Sequence, residues 1–223
     1  MGNSSSCKRQ HIVPQQMIRR FAGPDGKLIE MSKENLWIGT RGRAPSGILF
    51  EDWFYKDLVS DLDDELCGKI ENKFGKIYSE VLTDNGLTGG DKGAAFIDWV
   101  ASMLVRTHFI DALMEMLPDG IPDAAPLVLR DAQKLLDNIA RVELFRMYRD
   151  LMTRVGWCWK KRQFPGPCLI LADHPICMTS ICQQGGQMVV VPLSADTVMF
   201  GGASAAVELM RDKHPMLINF FWR

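Results

Sequence analysis

The sequence predicts an α+β fold, with a central helical bundle and a small antiparallel sheet formed by the N-terminal hairpin and the C-terminal third. Three observations predict it. Between residues 61 and 153 apolar residues recur three or four apart, the period of helices with one buried face. After Gly156 the period drops to two, and short apolar runs alternate with Pro and Gly, the pattern of strands joined by turns. Helical and strand-like stretches are also segregated along the chain, which favours α+β over a repeating βαβ sheet.

The elements follow in order. Pro14 opens a short helix at its first turn, with Met17, Ile18 and Phe21 on one face. Pro24-Asp25-Gly26 is a turn, because Pro presets φ and Gly accepts a positive φ. Lys27 to Met31 alternates and reads as a strand returning in a small hairpin, and Asn35 to Ser46 reads as a loop. Asp61 to Leu82 is the first long helix, with Leu62, Leu66, Ile70, Phe74, Ile77 and Val81 at helical spacing. Acidic residues in its first turn suit the helix dipole. A Gly-rich break from Thr83 to Gly93 leads to an apolar helix, Ala94 to Leu117, central in the bundle. A Pro-rich connection precedes a third helix, Leu127 to Thr153. Cys168 to Ala172, Met188 to Val191 and Thr197 to Phe200 are predicted strands, and Ala203 to Phe221 a final helix. The domain organisation is a flexible tail, residues 1–9, followed by a single α+β domain, residues 10–223.

Composition removes several classes of function. The chain has 223 residues, 26 basic and 27 acidic, for a net charge of -1. Bulk electrostatic attraction to nucleic acid is therefore not its principle. Its 47% hydrophobic content supplies enough apolar surface to fold. No apolar run reaches the roughly 20 residues needed to span a bilayer. The six cysteines include no C-x-x-C pair, which argues against a structural zinc site and for reduced thiols in a cytoplasmic protein. The polar N-terminus does not read as a secretory signal. Met1-Gly2-Asn3-Ser4-Ser5-Ser6 fits an acylation pattern, so anchoring through Gly2 is the alternative localisation. A Ser-rich tail is the preferred reading.

Several short motifs occur in a fixed order. His11, Pro14 and Gln15 form His-x-x-Pro-Gln, and Arg20-Phe21-Ala22 precedes the Asp25-Gly26 turn. Phe54-Tyr55, Glu71, Arg106-Thr107, Ala172-Asp173-His174-Pro175 and Pro192-Leu193-Ser194 follow. In this order they resemble a large, mainly bacterial family known as domain of unknown function 4238, from about Gln10 to Asn219. The chain departs from the family pattern at Ala172 and His174, where relatives carry Ser and Asn. It also stops soon after Asn219, where relatives continue. The resemblance implies shared ancestry and fold, and it carries no activity.

The polar residues picked out this way are His11, Gln15, Arg20, Glu71, Arg106, Asp173 and His174. They support two readings of different classes. In the first, the protein is a metal-assisted hydrolase of nucleic acid or a nucleotide, acting in defence against phage. His11 is then a general base. Glu71 and Asp173 hold a divalent cation such as Mg or Mn. Arg106 stabilises charge on phosphate, and Gln15, Arg20 and His174 bind substrate. In the second, the same residues form a structural network in a non-catalytic binding or interaction module. Arg106 and Glu71 on neighbouring helices read equally as a buried ion pair, and Asp173 before Pro175 as a turn former.

Overall fold

A computed structural model describes residues 9–31, 38–52, 68–83, 86–87, 90–106, 127–154, 156–181 and 186–202. Strand β1 (Arg9–His11) leads into helix α1 (Gln15–Ile18), which a 3-10 turn (Arg19–Phe21) extends. Pro14 sits directly before the helix at φ -55°, the value its ring imposes. Met17 and Ile18 are fully buried. The chain then turns through Gly26 at φ 72°, and Leu28 pairs with Arg43 and Met31 with Ile38. After a second 3-10 turn (Pro45–Gly47), β2 (Phe50–Asp52) pairs antiparallel with β1, setting His11 opposite Phe50.

Three long helices follow: α2 (Ile70–Thr83), α3 (Gly90–Val105) and α4 (Leu127–Arg154). Helix α3 is central, packing against both α2 and α4. It buries Ala95, Phe96, Trp99, Val100, Ala101, Met103 and Val105, as its nearly continuous apolar sequence requires. The expected parts of the helices at residues 61–67 and 107–117, and the expected helix from Ala203, lie outside the described residues.

The main sheet is five-stranded and antiparallel, in the order β3-β4-β7-β6-β5. Its strands are β3 (Gly86–Leu87), β4 (Cys158–Gln163), β5 (Cys177–Ile181), β6 (Gly186–Ser194) and β7 (Thr197–Gly202). The architecture is α+β as the sequence predicts, with differences of detail. The expected strand Lys27 to Met31 contributes only the bridges at Leu28 and Met31, β1 and β2 pair with each other as a separate two-stranded sheet, and the added strand of the main sheet comes from Gly86–Leu87 between α2 and α3. That strand is only two residues long, too short for any alternating pattern to reveal.

The sheet is buried on both faces. Trp159, Val189, Val191, Leu193 and Met199 face the helices, in one cluster with Phe74, Phe96 and Trp99. Met188, Val190, Val198 and Phe200 face the other way, against Leu169, Phe21 and Phe164. Two buried faces explain why these strands read as continuous apolar runs rather than clean alternation. They also explain a correction. Cys168 to Ala172 is not a strand but an irregular cover over the second face. Pro165 and Pro167 interrupt the chain there, and the Cys168 and Leu169 amides both donate to the Ala195 carbonyl, at 2.8 and 2.9 Å. Proline lacks the N–H that a ladder needs.

Trp159 lies directly opposite Gly201 across β4 and β7. A Cβ at Gly201 would meet the indole ring at 2.2 to 2.5 Å. Glycine here makes room for the ring to lie across the neighbouring backbone.

Candidate functional site

The site is built where the N-terminal segment meets the helices. Arg106, the first residue after α3, is 2% exposed. Its Nη1 forms an ion pair with Glu71 Oε1 on the first turn of α2. Its Nη2 donates to the backbone carbonyl of His11 at 2.5 Å. One guanidinium thus ties the end of α3, the start of α2 and strand β1. Arginine suits this task because its planar fork presents several donors in fixed directions. The bond to a carbonyl and the bond to a carboxylate together offset the cost of burying the charge.

A second buried arginine reinforces the same end of α3. Arg141 on α4 donates through Nη1 to the carbonyl of Val105, the last residue of α3. A cation on these last carbonyls is favourable for hydrogen bonding and for the helix dipole.

Helix α1 lies against the clamp. Gln15 Nε2 stands 3.3 Å from His11 Nε2, and Arg19 Nη2 donates to Gln15 Oε1 at 3.0 Å. Gln16 Nε2 donates to the Glu71 carbonyl at 3.4 Å. Gly75 on α2 permits that approach, since a Cβ there would come within 2.7 Å of Gln16 Oε1.

The sequence-predicted residues therefore separate into groups. His11, Gln15, Glu71 and Arg106 are brought together. Arg20 is exposed and lies over the Tyr78 ring, 5.4 Å from its centroid, with its carbonyl accepting from the Ala195 amide at 3.4 Å. Asp173 and His174 occupy the half-buried bend before β5, where the His174 amide donates to Asp173 Oδ1 at 3.1 Å. That bond is the local capping expected of an Asp in a turn.

As for a divalent cation, Glu71 offers a carboxylate already engaged by Arg106. Among the described residues no group of three or more His, Cys, Asp and Glu is placed to hold a metal ion.

Three contributors escaped sequence reasoning. Gln16 is signalled only by Gly75, a glycine inside a helix that marks a close approach. Tyr78 on α2 is buried and donates its hydroxyl to the Leu193 carbonyl of β6, joining helix to sheet. Burial pushes its hydroxyl well above the ordinary tyrosine range, while the nearby Arg20 charge opposes that shift. Arg141 sits in an ordinary charged stretch of α4 with no local signal.

The fold and site define an α+β protein in which one buried arginine locks an N-terminal arm onto a helical bundle. Residues 9–215 match the family model described as protein of unknown function (DUF4238), and the chain belongs to that family. No curated protein and no solved structure matches it. Among the described residues, no helix is long and apolar enough to cross a membrane.

Proposed function

We propose that this chain is a non-catalytic binding or interaction module whose polar cluster is a structural clamp. A single observation carries this reading. The Arg106 guanidinium, buried at the helix junction, is already bonded to Glu71 and to the His11 carbonyl. In this reading Arg106 secures the joint between arm and helices, and Glu71 balances its buried charge.

The opposing reading is a metal-assisted nuclease or nucleotide hydrolase acting in phage defence. It would use His11, Glu71, Asp173 and Arg106 for catalysis and Gln15, Arg20 and His174 to bind substrate. Thermal denaturation with Mg or Mn, with and without mononucleotides and short oligonucleotides, separates the two. A ligand bound only by the native state raises apparent stability. The module reading expects no saturable rise with metal or nucleotide. A saturable rise that His11→Ala and Asp173→Asn both abolish, in folded variants, replaces it with the hydrolase.

A further inference from the structure

His11 is held from three directions. Its carbonyl accepts from Arg106 at 2.5 Å. Its ring packs against Phe50, with centroids 6.0 Å apart and planes tilted by 55°. The residue before Phe50, Leu49, has φ 51°, a left-handed conformation that is strained for a leucine. Leu49 is kept there because its carbonyl accepts from the Ile12 amide at 3.0 Å and its side chain packs on the core. A strained backbone beside a half-buried imidazole marks a side chain whose placement is over-determined.

The hydrogen-bond polarity at the ring is fixed as well. Gln15 Oε1 accepts from Arg19 at 3.0 Å, which leaves the Gln15 amide NH2 facing His11 Nε2 at 3.3 Å. An amide NH2 only donates, so Nε2 must accept and the ring proton must sit on Nδ1. Turning the amide over gives no relief, because its NH2 would then oppose the Arg19 guanidinium. Protonation of the imidazole would set two donors against each other.

It would also add positive charge near Arg19 in the 3-10 turn after α1 and Arg106 after α3. The balancing carboxylate on α2, Glu71, is paired with Arg106. On β2, Glu51 and Asp52 lie opposite Gln10 and Arg9, one and two positions away from the His11–Phe50 pair.

We propose that His11 is a protonation latch: neutral, with Nε2 accepting from Gln15, it joins β1 to α1, and on protonation that joint opens and releases Gln15 and Arg19. The latch rests on the His11–Gln15–Arg19 relay alone and stands whichever function the site serves.

Long-range 1H–15N correlation spectra of the full chain test it, with His11→Gln identifying the resonance among the four histidines. At pH 8 the expected signature is an unprotonated Nε2 and a protonated Nδ1. Gln15→Glu replaces the facing donor with a charged acceptor. It is expected to raise the pH at which His11 titrates by about one unit. Arg19→Ala frees Gln15 to turn over and is expected to raise it less. A protonated Nε2 at pH 8 in the unsubstituted chain overturns the proposal, as does a titration that Gln15→Glu leaves in place.

Discussion

The centre of the main sheet and the N-terminal arm are secured by different physics. In β6 and β7, residues 188–193 and 197–202 are buried throughout and joined by an antiparallel ladder, with one register shift between Pro192 and Ser194, around the Ala195–Asp196 turn. Stability there is spread over many apolar contacts. The arm, residues 9–52, has three-residue strands, one-turn helices and two isolated bridges. It buries Val13, Met17 and Ile18 in the core shared with the helices, and a few polar bonds to distant residues, chiefly Arg106 to His11 and Gln16 to Glu71, fix its position on that core. Apolar burial tolerates the loss of one contact, whereas the few polar bonds that orient the arm do not.

Substitutions can break this contrast in order of size. Arg106→Ala removes the buried partner of the half-buried Glu71 carboxylate and orphans a carbonyl. It is expected to lower stability by about 3–4 kcal/mol, with protease cleavage of the arm appearing before cleavage of the sheet. Simultaneous loss of both regions in limited proteolysis would show that the staple serves the whole molecule equally. Gly201→Ala tests the sheet, where the added methyl meets the Trp159 ring. The expected cost, measured by chemical denaturation, is about 1–3 kcal/mol from overpacking.

Tyr78→Phe leaves the Leu193 carbonyl without its donor. It is expected to cost about 1–2 kcal/mol, with hydrogen exchange accelerating first at the α2–β6 contact. Asp98→Asn is the smallest change. Burial on α3 raises the Asp98 carboxyl above its ordinary value, against the opposing pull of Lys73 and Arg149. The native state therefore holds that proton more tightly than the unfolded chain. The associated stability is full below about pH 3.9 and declines as pH rises through the raised value. Asp98→Asn should flatten this slope and stabilise the protein at neutral pH by less than about 1 kcal/mol. A melting temperature lowered at pH 7 would mean that the pair with Lys73, at 3.9 Å, outweighs the burial.

The same contrast governs what the sequence reveals. The α+β class, the central place of α3, and strands β6 and β7 are legible because burial imposes helical periods or apolar runs on many residues at once. The five-residue cover from Cys168 misleads because an apolar run facing one sheet resembles a strand within it. At the site, the ordered motifs bring His11, Gln15, Glu71 and Arg106 into view. Their roles are not legible, because whether Arg106 meets a phosphate or a carbonyl depends on a contact between residues 95 positions apart. Gln16, Tyr78 and Arg141 act through backbone carbonyls of Glu71, Leu193 and Val105. A carbonyl is common to every residue type, so such a partner leaves no trace in sequence.

The 95-residue span of the Arg106–His11 bond also bears on the order of events during folding. Closing so long a loop costs entropy before any bond can repay it, so local helix contacts and hairpins assemble first. The bond then forms after the main barrier has been crossed. Contacts made that late act on the rate of leaving the native state more than on the rate of reaching it. Arg106 therefore governs how long the folded arm persists, and changes there shorten its lifetime while leaving refolding nearly as fast.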